Sequence, residues 1–226
     1  MYKRPLILPI KRSLTRGLVR SFSTAVNLVF DGNSVPRGFG LASPTTQAYP
    51  HLVYDALVAL GWDVVMTKVA TDGITTPSLV TRAAATVDVL LDAQRTNMVI
   101  MLEGTNYLST TGTTTAANEQ TNQTNYYNAR VSAGWDHVVL TTVLPWSPGT
   151  QSTFIDEYGV VNTWMRAGNP SGRGLFDLDA AFTADGSNPT TPTAHWQADK
   201  VHPSAAGHVL AASACVNAIK SILGVS

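Results

Sequence analysis

A hydroxyl, an imidazole and a carboxylate occur in this chain in an order and spacing that suit acyl transfer. Ser34 stands in Asp31-Gly32-Asn33-Ser34, directly after an apolar run. Asp199 and His202 stand in Asp199-Lys200-Val201-His202-Pro203, ahead of the last helical stretch. A serine is a weak nucleophile until a base takes its proton, and imidazole, with an unperturbed pKa of about 6.5, suits that task at neutral pH. A carboxylate three residues before the histidine can meet the ring in a turn or short helical segment, fix its tautomer and stabilise the imidazolium. Gly104-Thr105-Asn106 follows another apolar run; its Asn amide can donate to an oxyanion, and its glycine permits close approach. Gly73, in Thr71-Asp72-Gly73-Ile74-Thr75, can offer a backbone N–H to the same oxyanion. Singly, each motif has a plain alternative: an N-cap or turn serine, an Asn turn, a turn glycine, a surface Asp and His before a proline. Their joint occurrence in the order Ser, Gly, Asn, Asp, His is the stronger signal.

The elements that would position these groups alternate. Apolar segments at 27–30, 63–69, 97–102, 137–140 and 174–178 read as five strands. Helical spacing covers 47–60, closed by Gly61, and 76–91, with Thr76 as N-cap, Pro77 in the first turn and Val80, Ala83, Ala84, Val87, Leu90 and Leu91 on one face. It recurs near 118–132, over 154–165, and over 204–223, where Val209, Ala212, Val216, Ile219 and Leu223 share a face. Residues 109–124 and 183–198 are rich in Thr, Asn, Gln and Pro and read as polar surface loops. Strands alternating with helices predict an α/β chain with a parallel sheet covered on both faces, and such sheets bind ligands at the carboxyl ends of their strands. Each motif falls just after a strand or before the last helix, so one rim of the sheet can gather them.

At 226 residues, 44% apolar and 13% charged, the chain fits one domain with a substantial core. Net charge is +0, which gives no support to nucleic-acid binding, and no run reaches the roughly 18 apolar residues of a membrane span. The charge is uneven. Residues 1–25 carry Lys3, Arg4, Lys11, Arg12, Arg16 and Arg20 without an acid, and read as a basic arm outside the fold or a tether to an assembly or surface; residues 26–226 form the single domain. Cys215, the only cysteine, reads as a buried inert thiol on the last helix. His51, His137, His195 and His208 have no metal-ligand spacing with one another or with Cys215, and no phosphate-binding glycine loop occurs, so neither metal nor cofactor is expected. Glu103 reads as structural. Tyr107, Trp146, His195 and Trp196 are candidates to line a substrate pocket, with loop anchoring or core packing as the alternative for the two tryptophans and His195.

On these motifs the chain resembles the SGNH hydrolases, also called GDSL esterases and lipases, over roughly residues 27–223. Ser34, Gly73, Asn106 and His202 match the four residues that name the family, and Asp199 matches the aspartate of its Asp-x-x-His block. The resemblance implies a flavodoxin-like three-layer α/β/α sandwich and a metal-free serine esterase, with Ser34, Asp199 and His202 catalytic and Ser34, Gly73 and Asn106 forming the oxyanion hole. Two departures stand out: the usual Gly-Asp-Ser is Gly32-Asn33-Ser34, and the usual Gly-x-Asn-Asp ends in Tyr107. Long apolar lid helices are not evident and both long loops are polar, which favours short acyl chains such as acetyl esters on a carbohydrate. The alternative is a non-catalytic glycan-binding or structural module, virion- or tail-associated, on the same fold; a flavodoxin-like cofactor binder would leave the Ser, Asn and His placements unexplained. Secretion and virion association are both compatible with the composition.

Overall fold

A computed structural model describes residues 25–110, 114–145, 152–184 and 194–225. The basic arm, Trp146, residues 111–113 of the first polar loop and residues 185–193 of the second lie outside these residues. Five strands, β1 (Ala25–Gly32), β2 (Asp63–Ala70), β3 (Thr96–Leu102), β4 (His137–Thr141) and β5 (Gly174–Phe176), form one sheet in the order β2-β1-β3-β4-β5. Every pairing is parallel. The order is the doubly wound, flavodoxin-like one, and it puts the topological switch between β1 and β3, the strands that precede Ser34 and Asn106.

Side chains alternate along the central strands, and both faces are apolar. Leu28, Phe30, Met98, Ile100 and Leu102 enter one core, with residues of α3 (Tyr49–Ala59), α8 (Leu178–Thr183) and α9 (Ala205–Leu223). Val29, Val99, Met101, Val138 and Leu140 enter the other, with α4 (Thr76–Thr86), α6 (Ala116–Ala133) and α7 (Ser152–Arg166). Helices on both faces explain why these strands read as continuous apolar runs. Short helices α1 (Ser34–Arg37), α2 (Pro44–Gln47) and α5 (Thr105–Leu108) lie between the larger elements, and a 3₁₀ turn at Asp88–Leu90 follows α4.

Several expectations are corrected. The helix expected over 47–60 is broken at Ala48, which is extended, because Pro50 lacks the N–H that an unbroken helix would need there. Thr75, not Thr76, occupies the N-cap of α4; Thr76 is buried and donates from its hydroxyl to Glu119 (2.8 Å). The face of α4 runs through Leu79, Ala83 and Val87, with Ala84 exposed. α6 begins at Ala116, two residues before the start expected near 118, and Glu119 and Gln123, in a stretch expected at the surface, are fully buried and hydrogen-bonded to each other. β5 ends at Phe176, because Asp177 caps α8 by accepting from the Ala180 N–H (3.1 Å). α9 buries Gly207, His208, Ala211, Ala212, Cys215 and Ile219 and leaves Val209 exposed. His208 sets that rotation by accepting from the Tyr49 N–H (3.1 Å), and burial pushes its pKa down to about 4. By length and composition α9 matches a membrane span, yet its small residues pack it on α3, α8 and β5. Cys215 is buried, and burial raises its thiol pKa strongly.

Candidate active site

The nucleophile turn is rooted in the sheet. Gly32 ends β1 where a Cβ would come within 2.4 Å of the Leu102 carbonyl oxygen, so only glycine lets β1 and β3 run this close together. Asp31 is buried just before it and accepts from Arg82 (2.5 Å) and the Tyr126 hydroxyl (2.7 Å), which tie β1 to α4 and α6. Burial pushes the Asp31 carboxyl up to about 6, an effect those two partners only partly offset. Asn33 is the N-cap of α1: its side-chain oxygen accepts from the Val35 N–H (2.9 Å), and Ser34 takes the first helical position.

The other end of the Asn33 amide reaches the turn after β3. Its nitrogen donates to Glu103 (2.6 Å), which is 1% exposed. Glu103 also accepts from the backbone N–H groups of Tyr107 (3.0 Å) and Asn106 (3.4 Å). An aspartate at 33 would set two carboxylates against each other; the amide donates instead. Burial pushes the Glu103 carboxyl up to about 7 despite these hydrogen bonds. Behind it, Gln123 donates to the Glu103 carbonyl (3.2 Å) and to the Glu119 carboxyl (2.6 Å). Glu119 is pushed up to about 8 by burial and by the nearby Glu103. Glu103 is thus structural, as the sequence suggests, but its structure is the bond between the Ser34 turn and the Asn106 turn. An acid closing an apolar strand, with Glu119 and Gln123 one helical turn apart, is the signal in the sequence.

The base comes from a self-contained loop. The Asp199 carboxylate accepts from the backbone N–H groups of Val201 (2.9 Å) and His202 (3.0 Å), a side-chain-closed turn in which Lys200 adopts a positive φ of 58°. The same carboxylate lies 2.7 Å from His202 Nδ1. Burial would raise the Asp199 pKa, but the imidazole and the two backbone donors outweigh it and hold the carboxyl below its usual range. Trp196 bridges Pro203, and the Gln197 N–H donates to the His202 carbonyl (2.8 Å), closing the loop as a narrow hairpin. Gly207 lets α9 lean on this loop; a Cβ there would fall 2.2 Å from the His195 carbonyl oxygen.

The two halves meet at Ser34, whose Oγ lies 2.8 Å from His202 Nε2 across 168 residues of sequence. Ser34, His202 and Asp199 therefore form one chain of hydrogen bonds, with the ring nitrogens facing the serine and the carboxylate. Phe39, not singled out from sequence, lies against the imidazole with ring centroids 4.5 Å apart. Asn106 is half-buried, and its side-chain N–H donates to the Ile74 carbonyl (2.9 Å), which binds it to the turn carrying Gly73. Gly73 is exposed with φ 68°, a conformation suited to glycine. The Thr71 N–H donates to the Gly32 carbonyl (2.9 Å), so that turn starts beside the nucleophile. Tyr107 is half-buried on α5. Trp196 is 8% exposed and packs on Phe182 (5.0 Å between centroids), while half-buried His195 lies edge-on to the same ring (6.4 Å).

No protein-family profile matches the sequence, and no curated protein matches it. Solved structures do. A member of the lipolytic G-D-S-L family from Veillonella parvula superposes with a TM-score of 0.70 at 16% identity, covering 85% of this chain and 97% of that one. A lipase/acylhydrolase from Enterococcus faecalis gives 0.67 at 22% identity, over 87% and 96%. A variant of an acetyl-xylooligosaccharide esterase from Geobacillus gives 0.67 at 19% identity, over 85% and 93%. At these identities the likeness is one of fold: an α/β three-layer sandwich shared with GDSL-type proteins.

Proposed function

We propose that this chain, which has the fold of the SGNH hydrolases, is a serine ester hydrolase acting through an acyl-enzyme. The observation that carries the reading is the Ser34–His202–Asp199 chain of hydrogen bonds, at 2.8 and 2.7 Å, assembled from opposite ends of the sequence. His202 takes the Ser34 proton as Oγ attacks the ester carbonyl, and Asp199 stabilises the imidazolium. The tetrahedral oxyanion is held by the N–H groups of Ser34 and Gly73 and by the Asn106 amide. One amide hydrogen of Asn106 is engaged by Ile74, which aims the other. Protonated His202 releases the alcohol, then activates water to free the acid. Residues 26–226 act as one catalytic domain.

Short acyl chains, such as acetyl groups on a carbohydrate, fit best. The half-buried Tyr107 and the polar composition of residues 109–124 support that reading, as does the acetyl-xylooligosaccharide esterase among the neighbours. Ser34→Ala is expected to abolish hydrolysis of p-nitrophenyl acetate while the far-ultraviolet spectrum and melting temperature hold. A fluorophosphonate should label the parent protein at Ser34 and leave the variant unlabelled. Full esterase activity in Ser34→Ala removes this mechanism; a parent protein that neither labels nor hydrolyses esters points to the non-catalytic glycan module.

A further inference from the structure

A cavity of about 530 Å³ opens at the C-terminal end of α1, the short helix that Ser34 begins, lined by Arg37, Gly38, Phe39, Gly40, Pro44, Lys68 and Ala70. Arg37 lies three residues beyond Ser34 on the same short helix, a rise of about 5 Å. The backbone N–H groups of Gly38 and Phe39 donate to the Ser34 carbonyl (3.0 Å each), so the cavity wall continues the nucleophile turn. Phe39 is 44% exposed and forms the partition: its ring also lies against His202.

The charges in this cavity do not balance. Arg37 is paired with Asp72. Lys68 is half-buried, donates to the Arg37 carbonyl (3.1 Å), and has no carboxylate within ion-pair reach among the described residues. Burial, and then the Arg37 guanidinium, lower the Lys68 pKa, as expected where two cations line one pocket. One net positive charge matches a monoanion. A carboxylate suits it better than a phosphate dianion, which would call for more donors. The exposed Phe39 ring offers a flat apolar wall of the kind on which a sugar ring can rest.

We infer that this cavity is a subsite for the carboxylate of an acidic sugar, with Lys68 as its counter-ion and Phe39 as its platform, so that the substrate class is O-acetyl esters of uronic-type sugars. The inference rests on the esterase reading and deepens it. Lys68 determines specificity and takes no part in bond making.

The test compares acetate release from a mono-O-acetylated methyl glucuronoside and from the equivalent methyl glucoside. The parent protein should prefer the glucuronoside in kcat/KM. Lys68→Met should lower the ratio of the two by about tenfold, the worth of one charged contact in a half-open site, with the change in KM. Lys68→Arg should retain most of the preference. In parallel, calorimetry on Ser34→Ala protein should show the acetylated glucuronoside binding, and binding about tenfold weaker once Lys68→Met is added. A ratio and an affinity that ignore Lys68, in a protein that hydrolyses acetyl esters through Ser34, overturn the subsite and leave the esterase standing. Lys68-dependent binding in a protein that hydrolyses no ester does the reverse.

Discussion

The two halves of the candidate site are built in opposite ways. The Ser34 turn is buried: it grows from a central strand, closes on β3 through Gly32, and is held from beneath by Glu103 and Asp31, which are 1% and 0% exposed. The His202 loop lies at the surface, is shaped by its own Asp199 turn, and leans on the core through Trp196 and Gly207. Damage to the first half should therefore cost folding and turnover together. Damage to the second should cost turnover alone.

The largest effect tests the exposed half. His202→Ala should lower kcat/KM for p-nitrophenyl acetate by about 10⁴-fold or more, while unfolding free energy in urea changes by under about 1 kcal/mol. A large loss of stability would break the contrast.

The buried half is tested by reversing one hydrogen bond. Asn33→Asp places a carboxylate against Glu103 and should cost about 1–3 kcal/mol of stability and at least about tenfold in turnover above neutral pH. Adding Glu103→Gln restores a donor–acceptor pair with opposite polarity, keeps an acceptor for the Tyr107 N–H, and should recover most of both losses. A double variant no better than Asn33→Asp would mean that the Asn33–Glu103 bond does not hold the turn.

The pH dependence of folding sharpens the same point. Glu119 has a folded pKa raised to about 8 from an ordinary value of 4.5. Its contribution to stability is full below the unfolded pKa and is lost as pH rises through the folded one, because the folded state keeps the proton longer. Glu119 should therefore contribute a loss of stability between about pH 4.5 and pH 8, opposed up to pH 6.5 by His208, whose lowered pKa makes stability rise there. Glu119→Gln should flatten that slope in urea titrations repeated across the range; an unchanged slope assigns the loss elsewhere.

The smallest effect concerns the shape of the exposed loop. Lys200 sits at φ 58°, where glycine is at ease and β-branched residues are strained. Lys200→Gly should keep turnover within about twofold, whereas Lys200→Val should lower it severalfold with little change in melting temperature. Equal behaviour of the two variants would show that the turn tolerates reshaping.

Alternating apolar runs and helical faces revealed five strands and their order among helices, because the period of burial is written locally in side-chain type. The Asp199–His202 pairing was legible for the same reason: three residues suffice for a carboxylate to close its own turn. Polarity misled where burial was compensated. Glu119 and Gln123 resemble solvent-facing helix residues until their hydrogen-bond partners from distant segments are known, and Val209 shares the apolar spacing of α9 but not its buried face.

By itself, the sequence determined which groups are available and which short turns present them. Only the tertiary structure decided that Ser34 and His202 stand 2.8 Å apart, that Asn33 bonds Glu103 rather than water, and that Lys68 faces a cavity without an acid. The physical reason is range. A turn closes on its own atoms, but a contact across 168 residues exists only after a sheet has fixed the ends of its strands.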